Sequence, residues 1–99
     1  MKYLESYHLT DLENYCKNKC VKIVIEHHND DRNEIVYYRG LYCGYLYGKK
    51  LSATLKRTKK RITNIELYNH VKVYKNWKSK GRGETDALYD ILNVISSKY

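Results

Sequence analysis

The chain has no phenylalanine and no proline, one tryptophan, three cysteines and five glycines among 99 residues. It also lacks a long apolar run. The longest stretch without a charge is Gly40–Gly48, GLYCGYLYG, far short of the ~20 residues a membrane span requires. No secretory h-region follows Met1 in KYLESYHLTD, so a cytosolic protein is expected. Cys16, Cys20 and Cys43 are odd in number and few, which argues against a disulfide framework. No Ser-His-Asp order, nucleophile elbow, P-loop or Rossmann glycine pattern occurs, so no catalytic residue, cofactor or metal is assigned. Internal repeats and linkers are missing too, and residues 1–99 read as one domain. A chain this short buries only about two thirds of its unfolded surface, so its core is thin.

What is present is charge and tyrosine. Lys and Arg number 19 against 11 Asp and Glu, for a net charge of +8, and there are 12 tyrosines. The excess is local. Residues 49–82 hold twelve basic side chains and only Glu66 as an acid, a net +11, while the flanking segments are slightly negative. A focused basic field attracts polyanions and speeds their encounter, and nucleic acid is the expected partner. Charge of this kind reports on partners and not on fold.

Periodicity predicts an α+β order. An N-terminal helix, with Thr10 to Glu13 as a capping box, is expected to end by Lys19. From Cys20 the β-branched alternation of Val21, Ile23 and Ile25 reads as a strand, and Asn29–Asn33 as a turn. Glu34–Gly48 reads as a long strand bent at Gly40 and Gly44, with Gly48–Lys50 turning into a third strand, Leu51–Thr58. Lys59–Arg61 is a charged turn. In the segment that follows, Ile65, Leu67, Val71 and Val73 point inward, with Glu66, Tyr68, His70, Lys72 and Tyr74 outward. After the basic loop Lys78–Glu84, a C-terminal amphipathic helix carries Ala87, Leu88, Ile91, Leu92 and Ile95 on one face, capped at Thr85. The expected architecture is a four-stranded, strongly bent antiparallel sheet or small barrel with a helix at each end.

The bent strand YYRGLYCGYLYGKKLSATLKR and the broken pair in ITNIELYNHVKVY resemble a small β-barrel of the Sm- or SH3-like type over residues 21–75. That likeness implies a fold whose members take RNA, DNA or protein partners. GRGETDALYDIL, behind a glycine-containing loop, is similar to the last helix of a double-stranded-RNA-binding domain, although Glu84 and Asp86 stand where that family places lysines. EHHNDDRNE with Asn64 and His70 resembles an HNH nuclease motif, in which His28 would activate water.

Candidate nucleic-acid contacts follow from the basic third of the chain. Lys56, Arg57, Lys59, Lys60, Arg61, Lys72, Lys75, Lys78, Lys80 and Arg82 are expected on phosphates. Tyr68 and Tyr74 are expected to stack on bases, since single-stranded nucleic acid needs flat rings beside cations. The reading is a non-catalytic nucleic-acid-binding module. The alternative is a small phage or mobile-element protein that inhibits a host protein by direct binding, with Tyr37, Tyr38, Tyr42, Tyr45 and Tyr47 as contact candidates. Such a chain could also pair as a homodimer through its long strand or last helix.

Overall fold

Helical spacing governs the chain from Ser6 to its end. The structure, a computed structural model, describes residues 2–29 and 31–99. Four helices follow one another: α1 (Ser6–His27), α2 (Arg32–Thr58), α3 (Asn64–Trp77) and α4 (Arg82–Lys98). Among the described residues the only extended pairing is an isolated antiparallel bridge between Tyr3 and Thr63. The expected α+β architecture, with its sheet or small barrel, is therefore replaced by an all-α assembly. The resemblances to Sm- or SH3-like barrels and to the double-stranded-RNA-binding domain fall with the sheet they require.

The physical reason lies in which apolar residues are buried. In α1 the buried apolar positions are Leu9, Leu12, Cys16 and Cys20, beside buried His8 and continued by half-buried Ile23 and His27. These steps of three and four residues make one helical stripe that runs straight through the segment read as a strand. Val21 and Ile25, expected beside Ile23 on one buried face, are instead 49% and 66% exposed. Nor does the helix start at Thr10. Glu5 is the N-cap, its carbonyl oxygen accepting from the His8 amide at 3.0 Å while His8 Nδ1 accepts from the Glu5 amide at 2.9 Å.

Asp31 caps α2, its Oδ1 accepting from the amides of Asn33 and Glu34 at 3.0 Å each. The neighbouring Asp30 of the expected turn, like Met1, lies outside the described residues. The glycines of α2 do not bend a strand. Gly40, Gly44 and Gly48 recur every four residues and let α4 approach. A Cβ on Gly44 would lie 2.6 Å from Ala87 Cβ, and one on Gly40 would lie 2.8 Å from the Glu84 nitrogen. Gly83 on α4 answers them, since a Cβ there would overlap the Tyr37 carbonyl oxygen. The supposed turn at Gly48–Lys50 is mid-helix.

Thr63 and Glu66 form a reciprocal capping box that starts α3. Thr63 Oγ1 accepts from the Glu66 amide at 3.1 Å, and Glu66 Oε1 accepts from the Thr63 amide at 3.4 Å. On α3 only Leu67 and Val71, four apart, are buried. Ile65 and Val73, expected inward, are 50% and 66% exposed. In α4, Ala87, Leu88, Ile91, Leu92 and Ile95 are all buried, as the sequence pattern requires, but the N-cap is Gly81 and not Thr85.

α2 packs against both α1 and α4, and α3 packs chiefly on α4. Both termini are tied to the turn between α2 and α3. The Leu4 amide donates to Ile62 O at 2.8 Å, the Asn64 amide to Lys2 O at 2.9 Å, and Asn64 Nδ2 to Tyr99 O at 2.8 Å.

Candidate nucleic-acid interface

The three carboxylates of α4 are hydrogen-bonded by tyrosines of the other helices. Each is held by tyrosine and none by lysine or arginine. Tyr15 on α1 and Tyr45 on α2 both donate to Asp90 Oδ2, at 2.7 and 2.6 Å. Tyr37 donates to Asp86 at 2.8 Å, and Tyr74 to Glu84 at 3.0 Å. Burial and the Asp90 carboxylate together hold the Tyr15 and Tyr45 hydroxyls far above the ordinary phenol range. Burial, then the bond to Glu84, pushes Tyr74 up to about 12. These tyrosines pin α1, α2 and α3 to α4, and among the described residues none of the cations of residues 49–82 is ion-paired to an α4 carboxylate.

Those cations gather at the two ends of α3. At its N-terminal end, Arg57, Lys59, Lys60 and Arg61 surround the turn from α2. Lys59 closes α2 in the left-handed region, with φ 56°. Arg61 lies over the Tyr3 ring, its guanidinium carbon 4.4 Å from the centroid. Beside them, Lys59, Lys60 and Arg61 share with Tyr3 and Ser6 an open cleft of about 630 Å³. At the C-terminal end, Lys75, Lys78, Lys80 and Arg82 are each set against a ring. Lys75 sits 4.4 Å from Tyr89, Lys78 4.6 Å from Trp77, Lys80 4.4 Å from Tyr74 and Arg82 5.9 Å from Tyr37. Lys72 is exposed on α3 between the two ends. Arg57, Lys59, Lys60 and Lys72 meet no carboxylate among the described residues.

Of the ten cations expected from sequence, Lys56 stands apart. Its Nζ pairs with Glu13 at 2.8 Å and donates to Thr10 at 3.3 Å, which fixes α2 to α1. The expected stacking surfaces are also occupied. Tyr74 is stacked on Tyr47 at 3.7 Å with 5° between the planes, and Tyr68 is half-buried against the core. Trp77, 68% exposed, and Tyr89, 53% exposed, offer more ring to solvent than the half-buried Tyr68 and Tyr74. Trp77 was missed in the sequence; its place directly before the basic loop Lys78–Glu84 is the signal that could have singled it out.

The other expected sites disperse. Asn64 sits at the start of α3, bonded to the C-terminal residue and near the start of α1. His28 lies just past the far end of α1, whose 22 residues span about 33 Å. An HNH site is thus not assembled. Cys16 and Cys20 are buried on one face of α1 while Cys43 is exposed, and burial raises Cys16 to about 12, an unreactive thiol. No group of three His, Cys, Asp or Glu that could hold a metal ion occurs among the described residues. No helix there is long and apolar enough to cross a membrane.

Among the alternative protein-contact tyrosines, Tyr37, Tyr45 and Tyr47 make intramolecular bonds or stacks, and Tyr38 stacks on His27 at 3.4 Å. Comparison with known protein families, curated proteins and solved structures finds no match for the chain.

Proposed function

We propose that this protein binds nucleic acid, without catalysis, through α3 and the two basic turns that bracket it. The observation that supports the reading is the separation of charge. α4's acids are hydrogen-bonded by tyrosine hydroxyls and form no ion pair with the cations at either end of α3 among the described residues, so those ammonium and guanidinium groups are open to direct contact with phosphate. Phosphate neutralisation by Arg57, Lys59, Lys60, Arg61, Lys72, Lys75, Lys78, Lys80 and Arg82 supplies the affinity. Trp77 and Tyr89 add ring surface beside the cations. Binding of single- and double-stranded DNA and RNA at low and moderate salt tests it. If six to eight cations engage, affinity falls by orders of magnitude over that range. A flat salt dependence overturns the reading.

A second reading, a small protein that inhibits a host protein by docking on it, is favoured by one observation. At the α1–α2 tip, Val21, Val24, Ile25 and Val36 are exposed; Val24 and Tyr42 are shared by a groove of about 220 Å³ with Ile23, Ile35 and Tyr38 and one of about 280 Å³ with Val21 and Ile25. A protein partner retained after nuclease treatment, and lost on Ile25→Glu, would select this reading over the first.

A further inference from the structure

The outward face of α3 has a composition that neither a solvated face nor a core face explains. Ile65, Asn69, Val73 and Asn76 follow one another at steps of four, four and three residues, and so form one stripe along the helix. All four are exposed, as is Lys72, which borders the stripe, and Asn76 Oδ1 accepts from the neighbouring Lys75 Nζ at 3.0 Å, a solvent-exposed bond that a base edge would replace. The stripe lies opposite Leu67 and Val71, the buried pair that seats α3 on α4. Two branched aliphatics exposed by half or more alternate here with two amides, and no acid of the stripe competes with them. Glu66, beside it, is turned back to cap the helix.

We infer that α3 is a recognition helix for duplex DNA, lying in the major groove and reading base edges with Asn69, Lys72, Val73 and Asn76. This rests on the nucleic-acid reading above and names its substrate. The major groove is about 12 Å wide and admits one α-helix. α3 is 14 residues, about 21 Å long, and packs chiefly on one neighbour, so most of its circumference is free. The chemistry of the stripe matches the groove. Asn side chains pair bidentately with adenine N6 and N7, Lys donates to guanine O6 and N7, and Ile or Val packs on the thymine methyl. The basic turns at the two ends of α3 stand where a helix in the groove meets the flanking phosphate strands. Those contacts set position and carry no sequence information.

The test is selection of binding sites from a random duplex DNA library with the whole chain, followed by affinity measurement on the winning duplex. The expected result is an enriched motif rich in A·T pairs. Asn69→Ala and Asn76→Ala each weaken binding to that duplex on the order of 10- to 100-fold and leave binding to scrambled duplex unchanged. Both residues are exposed, and circular dichroism will show both variants still helical. Replacing thymine by uracil in the motif weakens the wild type but not Val73→Ala, which has already lost the methyl contact. Duplex binding without an enriched motif, or tighter binding to single strands or to double-stranded RNA, overturns the recognition helix while leaving nucleic-acid binding in place. Failure to bind any nucleic acid removes both.

Discussion

At the scale of single residues, two glycines and one lysine carry opposite lessons. Gly83 has the Tyr37 carbonyl and the Leu41 nitrogen against the position of its missing Cβ, and both are helical backbone that cannot swing aside. Gly83→Ala should therefore cost at least 1–3 kcal/mol, roughly the range for overpacking a close-packed site, read as a lower urea midpoint. Gly81, two residues earlier, has nothing within 4 Å, so Gly81→Ala at this helix cap should cost less than about 1 kcal/mol. Equal effects at the two positions would contradict the close approach of α2 to α4. Lys59 holds a left-handed backbone conformation that glycine adopts without steric penalty. Lys59→Gly should raise stability by about 1 kcal/mol while lowering nucleic-acid affinity, because the same substitution removes a phosphate-binding cation. A variant improved in both would detach this lysine from binding.

At the scale of elements, the fold is a set of helices fastened to α4 by phenols, and alkali should undo it. The folded values of Tyr15, Tyr45 and Tyr74 lie above the ordinary phenol value of 10.0. The unfolded chain therefore releases those protons first. The stability they contribute is fully present below about pH 10 and falls as pH rises through the folded values, for Tyr74 between 10 and about 12. Denaturant midpoints taken against pH, together with phenolate absorbance, should show that decline. Ordinary titration of every tyrosine in the folded protein would contradict it. How much of this was legible in the sequence differs by element. The turns at Lys59–Arg61 and at Lys78 onward were marked by charge and glycine, and the face of α4 by its spacing. The first half of α1 was read as a helix, while its continuation from Cys20, α2 and α3 were misread because Val, Ile and Tyr recur there, and β propensity depends strongly on context. The helical signals were present but competed with alternation: Leu12, Cys16 and Cys20 at four-residue steps, glycines at 40, 44 and 48, and Thr63 with Glu66. Small residues at period four mark close helix approach as readily as bulges mark strands, and local periodicity alone does not choose between them. The cations of the candidate site were legible as residues but not as two groups. Only the helical α3 separates them into opposite ends, and only its wheel puts Ile65, Asn69, Val73 and Asn76 in line. Tyr68 and Tyr74 were misplaced for the same reason, since a strand's outward face became a helix flank turned toward the protein.

At the scale of the whole molecule, four helices span 43 × 26 × 23 Å and the charge is sorted along them. The acids of α4 face inward to tyrosines, the α1–α2 tip mixes both signs with exposed aliphatics, and the basic excess brackets α3. The claim that unites these features is that α3 meets nucleic acid with cations engaged at both of its ends. Its most direct test is the slope of log affinity against log salt for the wild type and two triple variants. One variant replaces Lys59, Lys60 and Arg61 by alanine, and the other replaces Lys78, Lys80 and Arg82. Each variant should lower the slope by about two to three, the number of phosphate contacts removed at that end, with circular dichroism unchanged. A slope that stays at the wild-type value in either variant would contradict the account.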